Sequence, residues 1–172
     1  TSGINAMWRY CEGFRAGVKY ADEDVQALIV YREDGDREKL FVDEAWGYET
    51  GSDLIARGAD VLFAAGGVTA QGALKAASEY EVYAIGAERD QAAALGESGS
   101  SAVTSFYGHA RFEVQEVMRR VRDGEAGGER IGQIQFVLPS PIFPPEKVLE
   151  LETLLKLLSN GEIDPNIAKG KP

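Results

Sequence analysis

Short apolar runs alternate along the chain with segments whose apolar residues recur at helical spacing. Runs with the length of strands occupy residues 25–31, 59–65, 81–87, 101–106 and 131–138. Helical spacing predicts helices near residues 6–21, 43–57, 71–80, 109–123 and 145–160. Strands that alternate with helices pair in parallel through right-handed crossovers. The pattern therefore predicts an α/β fold, open and doubly wound, with a mostly parallel sheet.

Composition narrows the classes of function. The 172 residues carry a net charge of −10, which argues against binding of nucleic acid or of anionic membrane surfaces. Cys11 and His109 are the single cysteine and the single histidine, so a zinc site or a Ser-His-Asp triad lacks its components. We therefore predict no catalytic residue, no metal site and no cofactor. No apolar run approaches the roughly 20 residues of a membrane span, and residues 1–10 do not read as a signal peptide.

The turn after the second strand run, GGVTAQG at residues 66–72, is the first candidate for a binding site. It lacks the Gly-Lys-Ser/Thr ending of a P-loop, and it does not match the G-x-G-x-x-G of a dinucleotide site. Two readings remain open. Either the glycines only permit a tight strand-to-helix turn, or the turn offers N–H groups and a hydroxyl to a neutral polar ligand. The residues of this candidate are Gly66, Gly67, Thr69 and Gly72.

Two carboxylates follow the next strand run, in the sequence IGAERDQ. Glu88 and Asp90 lie where that strand should end, at the same sheet edge as the glycine turn. A carboxylate accepts hydrogen bonds from the paired hydroxyls of a sugar and repels a phosphate. The two acids therefore favour a ribose-like group, and the alternative is a solvated charged turn.

A third candidate lies at the start of the helix predicted at 43–57. Asp43 is either the N-cap of this helix or a ligand contact. Trp46 is either a core residue or a flat side chain that borders a nucleobase near the same sheet edge.

Five motifs in the same order resemble the basic membrane protein family of bacterial extracytoplasmic solute-binding lipoproteins. Members of this family include purine nucleoside receptors of ABC transporters. The motifs are CEGFRAGVKYADEDV, Asp43 with the helix that leads to GADVLFAAGG, then GGVTAQG, IGAERDQ and AVTSF. The resemblance runs from about Gly3 to Leu138 and implies one lobe of a fold like that of type I periplasmic binding proteins.

The resemblance also implies a domain division. Residues 1–138 would form the C-terminal ligand-binding lobe, and residues 139–172 would form a C-terminal helix and tail. The chain begins where family members cross from their first lobe into their second, and the elements near 109–138 would belong to the first lobe. The implied partners are a nucleoside-like ligand and an ABC permease. The exposed cleft edge and the strongly apolar helix predicted at 145–160 further predict that the fragment self-associates into a homo-oligomer. The implied location is periplasmic, or the outer face of the cell membrane through a lipid anchor.

The chain departs from the family pattern at three places. Ala70 replaces the second glycine of the turn, and Glu88 stands where the family has the Asp expected to hold the ribose. The lysine that follows the family's Thr-Ser pair is missing, because this chain continues with Tyr107, Gly108 and His109. These departures bear on the identity of the ligand more than on the fold.

Three classes of function compete. A binding module, the second lobe of a transport receptor without chemistry of its own, is the leading hypothesis. A sensory or regulatory domain of the same fold is the first alternative. An enzyme that uses sugars or nucleotides is disfavoured, because no nucleophile with an adjacent base is visible and His109 lies on a predicted helix away from the glycine turn.

Overall fold

The computed structural model describes residues 4–32, 37–126, 132–138 and 142–167. The helices are α1 Asn5–Ala21, α2 Glu44–Ala56, α3 Gly67–Glu79, α4 Gln91–Leu95, α5 Ala110–Arg122 and α6 Pro145–Ser159. The strands are β1 Val61–Phe63, β2 Tyr83–Ala87, β3 Ala102–Gly108 and β4 Ile134–Val137. Short 3₁₀ turns occupy Arg37–Lys39 and Gly96–Gly99. Two predicted segments extend beyond the described residues: the first residue of the strand predicted at 131–138 and the end of the tail, from residue 168. The other residues outside the description are 1–3, 33–36, 127–130 and 139–141.

The four strands form one sheet in the order β1-β2-β3-β4. Strands β1, β2 and β3 are parallel, so the predicted α/β class with a mostly parallel sheet is confirmed. Strand β4 pairs with β3 in the antiparallel direction, which a mostly parallel sheet allows. Since α5 buries no residue, it does not act as a crossover helix packed on the sheet, and the chain instead returns beside β3.

The strand predicted at 25–31 is wrong. This segment is irregular in the structure, and a cavity of about 400 Å³ lies between it, helices α1 and α2, and strand β1. Its C-terminal end is held by side chains of both helices and of the loop before α2. The Tyr31 hydroxyl donates to Glu12 Oε1 at 2.8 Å, and Arg32 donates to Asp43 Oδ2 at 2.8 Å. These contacts tie the end of the segment to α1 and to the loop before α2.

The main core lies between α3, its neighbour α2 and the first two strands. Its buried residues are Leu62, Ala64, Ala70, Leu74, Ala77 and Ala84. The two helices approach closely because each has glycine at the contact: an added Cβ at Gly47 would overlap the carbonyl oxygen of Thr69, and one at Gly72 would overlap that of Glu44. Small side chains thus set how near α3 comes to α2.

A second apolar cluster covers the carboxyl edge of the sheet. It consists of buried Met7, Ala65 and Ala87, with Tyr10, Phe41 and Phe63 packed against it. Phe63 also stacks on Phe14 of α1, with ring centroids 5.0 Å apart. Helix α1 therefore reaches the sheet edge at which the candidate ligand residues were predicted.

The predicted helices are all observed, with shifted ends. Helix α3 begins at Gly67, one turn earlier than the predicted start at residue 71, and the five-residue α4 was not predicted. Helices α5 and α6 bury no residue. In the part of the chain that the structure describes, no helix combines the length and the apolar character needed to cross a membrane.

Candidate functional site

The candidate site lies where the carboxyl ends of β1 and β2 meet the N-terminus of α3. Gly66 is the N-cap of that helix, with φ of 130°, and Gly67 has φ of 63°. Both conformations favour glycine because it has no Cβ. An added Cβ at Gly67 would also lie 2.8 Å from the carbonyl oxygen of Phe41. The predicted strand–turn–helix is therefore present, and its glycines are required by backbone geometry.

The first N–H groups of α3 are satisfied within the protein. The Gly67 N–H donates to Glu88 Oε2 at 2.8 Å. The N–H groups of Val68 and Thr69 both donate to the carbonyl oxygen of Phe41, at 2.8 and 3.3 Å. Helix N-termini bind anions when such groups are left without an acceptor. Here a carboxylate and a carbonyl already occupy these three donors, so this turn does not present them to a phosphate.

Glu88 lies at the point where the turn and the strand end meet. Its φ of 71° is in the left-handed region, its N–H donates to the Phe106 carbonyl, and its side chain is solvent-exposed. Burial raises the pKa of the nearby Tyr10, and the negative charge of Glu88 raises it further. The arrangement thus brings an exposed carboxylate and a half-buried phenol to the same edge of the sheet.

Asp90 begins the next helix. Its Oδ1 accepts the Ala93 N–H at 3.0 Å, which makes it the N-cap of α4. The residue that follows, Gln91, is buried, and its backbone N–H donates to Ser105 Oγ at 3.1 Å. Its side chain donates to the Ala87 carbonyl at 2.8 Å. This buried network fixes the turn that carries Glu88.

Asp43 joins three elements. Its Oδ1 accepts the Trp46 N–H at 3.1 Å and so caps α2, and its Oδ2 accepts from Arg32 at 2.8 Å. The backbone N–H of Asp43 donates to the buried Thr69 hydroxyl at 2.9 Å. The Trp46 N–H, and then Arg32, hold the pKa of the Asp43 carboxyl below its usual range. Asp43 and Thr69 therefore have structural partners.

Trp46 lies in contact with Arg32. The Arg32 guanidinium carbon is 5.1 Å from the ring centroid, a cation–π geometry, and Trp46 lines the cavity beneath residues 25–30. Gly72 lies one turn inside α3, against α2. The structure thus brings Gly66, Gly67 and Glu88 together. It places Asp43, Trp46 and Thr69 in an adjoining cluster around Arg32.

Sequence reasoning missed Tyr10, Phe41 and Arg32. Tyr10 reads only as one residue of the helix predicted at 6–21, and Phe41 contributes to the turn through a backbone carbonyl that no side-chain motif reports. Arg32 stands in a charged run, REDGDREK, that reads as a solvated turn. Within the described residues, no group of three or more His, Cys, Asp or Glu side chains is arranged to hold a metal ion.

Comparisons with known proteins agree with this architecture. The family described as Bmp, ABC transporter substrate-binding protein PnrA-like, matches residues 2–131. Basic membrane protein D of Borreliella burgdorferi (strain JD1) is 33% identical over 81 residues, which are 46% of this chain and 22% of that protein.

Two solved structures share the fold. A transcriptional activator of the comK gene from Bacillus halodurans has a TM-score of 0.72 at 22% identity, covering 90% of this chain and 53% of that one. An ABC transporter solute-binding protein from Conexibacter woesei DSM 14684 has a TM-score of 0.69 at 21% identity, covering 93% of this chain and 52% of that one. The chain thus spans about half the length of these two structures.

Proposed function

Because the chain belongs to the PnrA-like family of ABC transporter substrate-binding proteins, we propose that it forms mainly the second lobe of a receptor for a nucleoside or a similar sugar-containing molecule. The family is one of extracytoplasmic solute-binding proteins and is not an enzyme family. We propose that the chain performs no chemistry and delivers its ligand to an ABC permease. We further propose a periplasmic location or a lipid anchor at the outer face of the membrane.

The observation that carries this proposal is the exposed Glu88 carboxylate beside an already capped helix. Glu88 lies at the carboxyl edge of a parallel sheet, where open α/β folds bind their ligands. The three N–H groups of α3 that an anion would use have acceptors in Glu88 and Phe41. The edge therefore suits a neutral ligand with hydroxyl donors, such as a ribose, better than a phosphate.

We assign the candidate residues two kinds of role. Glu88 accepts hydrogen bonds from the ligand, and Gly66 and Gly67 shape the turn beside it. Five further residues hold these groups in place: Thr69, Gly72, Asp90, Asp43 and Trp46. This division follows the contacts described above, in which Asp43 and Asp90 cap helices and Thr69 is buried.

The domain division is also a proposal. We propose that residues 1–138 form a ligand-binding lobe and that residues 139–172 form a helix with a tail. Helix α5 supports the idea that it belongs with a first lobe, because it buries no residue against the rest of the described chain. Strand β4 does not support this idea, because it pairs with β3 in the sheet of this lobe. Closure of two lobes buries most of a ligand, so the 172-residue chain alone should bind nucleosides weakly or not at all.

Calorimetry of a two-lobed receptor that contains this chain tests the proposal, with adenosine, guanosine, inosine and uridine as probes. Glu88→Gln keeps the shape of the side chain and removes its charge, so affinity should fall roughly ten- to a hundredfold. A 2′-deoxynucleoside should bind the wild type less tightly than the ribonucleoside, and Glu88→Gln should lose this preference. Asp90→Asn is the matched control, because Asn also caps a helix. Unchanged affinity in Glu88→Gln would remove Glu88 from the site.

A sensory or regulatory function is the second candidate. It is favoured by one observation, the similarity of fold to the transcriptional activator of the comK gene. The genes beside the one that encodes this chain separate the two candidates. Permease and ATPase genes would support transport, whereas a fused signalling domain, or the absence of transporter genes together with a change in transcription on deletion, would support regulation.

A further inference from the structure

We infer that Arg32 is a positioning residue: its buried guanidinium holds the loop at residues 37–43, and with it Phe41, against the N-terminus of α3. The inference rests on the proposed function for its consequence in ligand binding. Its structural part stands on contacts that do not involve a ligand.

Arg32 is a buried cation with several close partners. The residue is only 7% exposed, in a chain where most charged side chains are solvated. Its guanidinium donates to Asp43 Oδ2 at 2.8 Å and, more weakly, to the Lys39 carbonyl at 3.4 Å, and it lies over the Trp46 ring. Within the described residues its Nε–H finds no acceptor. Asp43 is therefore the carboxylate that pairs with the buried Arg32 guanidinium.

Arg32 is linked to the turn through the loop before α2. Its acceptors Lys39 and Asp43 lie on either side of Phe41, whose carbonyl accepts the N–H groups of Val68 and Thr69. The backbone N–H of Asp43 adds a third bond between loop and helix, to the Thr69 hydroxyl. The loop thus supplies the acceptor for two of the N–H groups that the start of a helix leaves unpaired. Arg32 binds the same loop at Lys39 and Asp43.

Glu88 is linked to the same loop through neighbouring N–H groups of α3. The Gly67 N–H that binds Glu88 immediately precedes the two N–H groups that bind Phe41. If the loop moves away, Val68 and Thr69 lose their acceptor, and the Glu88 carboxylate becomes the nearest anion to three donors. Arg32 would thereby influence how Glu88 is presented to a ligand without touching that ligand.

Amide hydrogen exchange on the 172-residue chain tests the structural part. In Arg32→Met, the Val68 and Thr69 amides should exchange at least about tenfold faster than in the wild type, whereas Ile85 in β2 should be unchanged. Arg32→Lys should lie between them, because Lys keeps the charge but loses the planar fork and the stacking on Trp46. Arg57→Met is the matched control, since Arg57 forms an exposed ion pair with Asp53. Unchanged exchange at Val68 and Thr69, or equal acceleration at Ile85, would overturn the inference.

Adenosine binding to the two-lobed receptor tests the functional part. Arg32→Met should weaken the affinity roughly tenfold, Arg32→Lys should restore part of it, and Arg57→Met should leave it unchanged. If the wild type binds and Arg32→Met binds equally well, the inference fails while the proposed function stands. If the wild type binds no nucleoside but the local exchange effect is observed, the proposed function fails while the positioning of the loop stands.

Discussion

Helices α3 and α5 are each 13 residues long, but they differ completely in burial. Helix α3 buries seven residues, and α5 buries none. The buried side of α3 is built largely from alanine and glycine. Helix α5 instead carries an apolar stripe of larger side chains at helical spacing, composed of Val114, Val117, Met118 and Val121, all solvent-exposed.

The contrast teaches that an amphipathic pattern predicts a helix, but it does not predict that the helix packs within the same chain. Helix α3 is held by close backbone approach to α2, which needs small residues on both helices. Helix α5 has the apolar face that ordinarily drives packing, but none of it is buried by the described part of the chain. The candidate site lies at the start of the well-packed helix α3, where its first turn meets Glu88 at the end of β2.

A substitution at the contact between α2 and α3 should cause the largest loss in the free energy of unfolding. In Gly47→Ala the added methyl group overlaps the Thr69 carbonyl oxygen, so the helices must separate. We expect a loss of more than about 3 kcal/mol in the free energy of unfolding, measured by urea denaturation. Gly17→Ala in α1 is the control, because nothing lies within 4 Å of the added atom. It should be neutral or stabilising by up to about 1 kcal/mol. A loss in Gly47→Ala as small as in the control would contradict the close packing.

A matched pair of truncations sharpens the comparison of the two helices. Leu74 of α3 is 1% exposed, whereas Val121 of α5 is 55% exposed. Leu74→Ala leaves a cavity and should cost about 2–4 kcal/mol, and Val121→Ala should cost less than about 0.5 kcal/mol. Both are measured by urea denaturation of the 172-residue chain at a concentration at which light scattering reports the monomer. Comparable losses would mean that α5 packs against the rest of this chain in solution.

A smaller loss of stability is expected at acid pH, from protonation of Asp43 in the cluster around Arg32. The pKa of Asp43 is lowered in the folded protein, chiefly by the Trp46 N–H and then by Arg32. Its contribution to stability is therefore fully present above the unfolded pKa of about 3.9 and is lost as the pH falls through the lower folded value. The thermal midpoint of the wild type should drop more steeply below about pH 4 than that of Asp43→Asn.

Asp43→Asn already lacks this contribution at pH 7, where its midpoint should lie below that of the wild type. Asp53→Asn is the matched control on the same helix, since Asp53 forms an exposed ion pair with Arg57. It should follow the wild type at every pH. Parallel curves for the wild type and Asp43→Asn would show that the carboxylate does not support the folded state.

The fold could be predicted from the sequence where a local pattern decides the structure. The helices and three parallel strands follow from periodicity and from the turns between them. Residues 25–31 have the same apolar character as the observed strands, but they form no strand, and their end is tied to α1 through Tyr31 and to the loop before α2 through Arg32. Such contacts join residues 11 or more positions apart and leave no local signal.

The proximity of the candidate residues was predictable in part for the same reason. Parallel strands bring their carboxyl ends to one edge, so the strand ends alone predict that Gly66, Gly67 and Glu88 lie close together. The partner of Glu88 was not predictable, since the Gly67 N–H that it binds is 21 positions away in sequence. Gln91 gave no signal either, because a glutamine in a charged turn looks solvated. In the structure it is buried, its side-chain amide donates to the Ala87 carbonyl oxygen, and its backbone N–H donates to Ser105 Oγ.

Substitutions in the exposed stripe of α5 should have the smallest effect on the stability of the chain. They should nevertheless clearly change the mass of the associated species in solution. We expect the 172-residue chain to self-associate at tens of micromolar. A contiguous apolar patch that remains exposed in the single chain is typical of a surface that binds another chain. Val114→Gln with Met118→Gln interrupts the stripe, keeps the net charge and should change the free energy of unfolding of the monomer by less than about 0.5 kcal/mol. Light scattering should then report a lower mass than for the wild type. Leu149→Gln, an exposed position on α6, distinguishes the two helices. A lower mass in Leu149→Gln alone would move the interface to α6, and a wild type that is monomeric throughout would show that neither helix drives association.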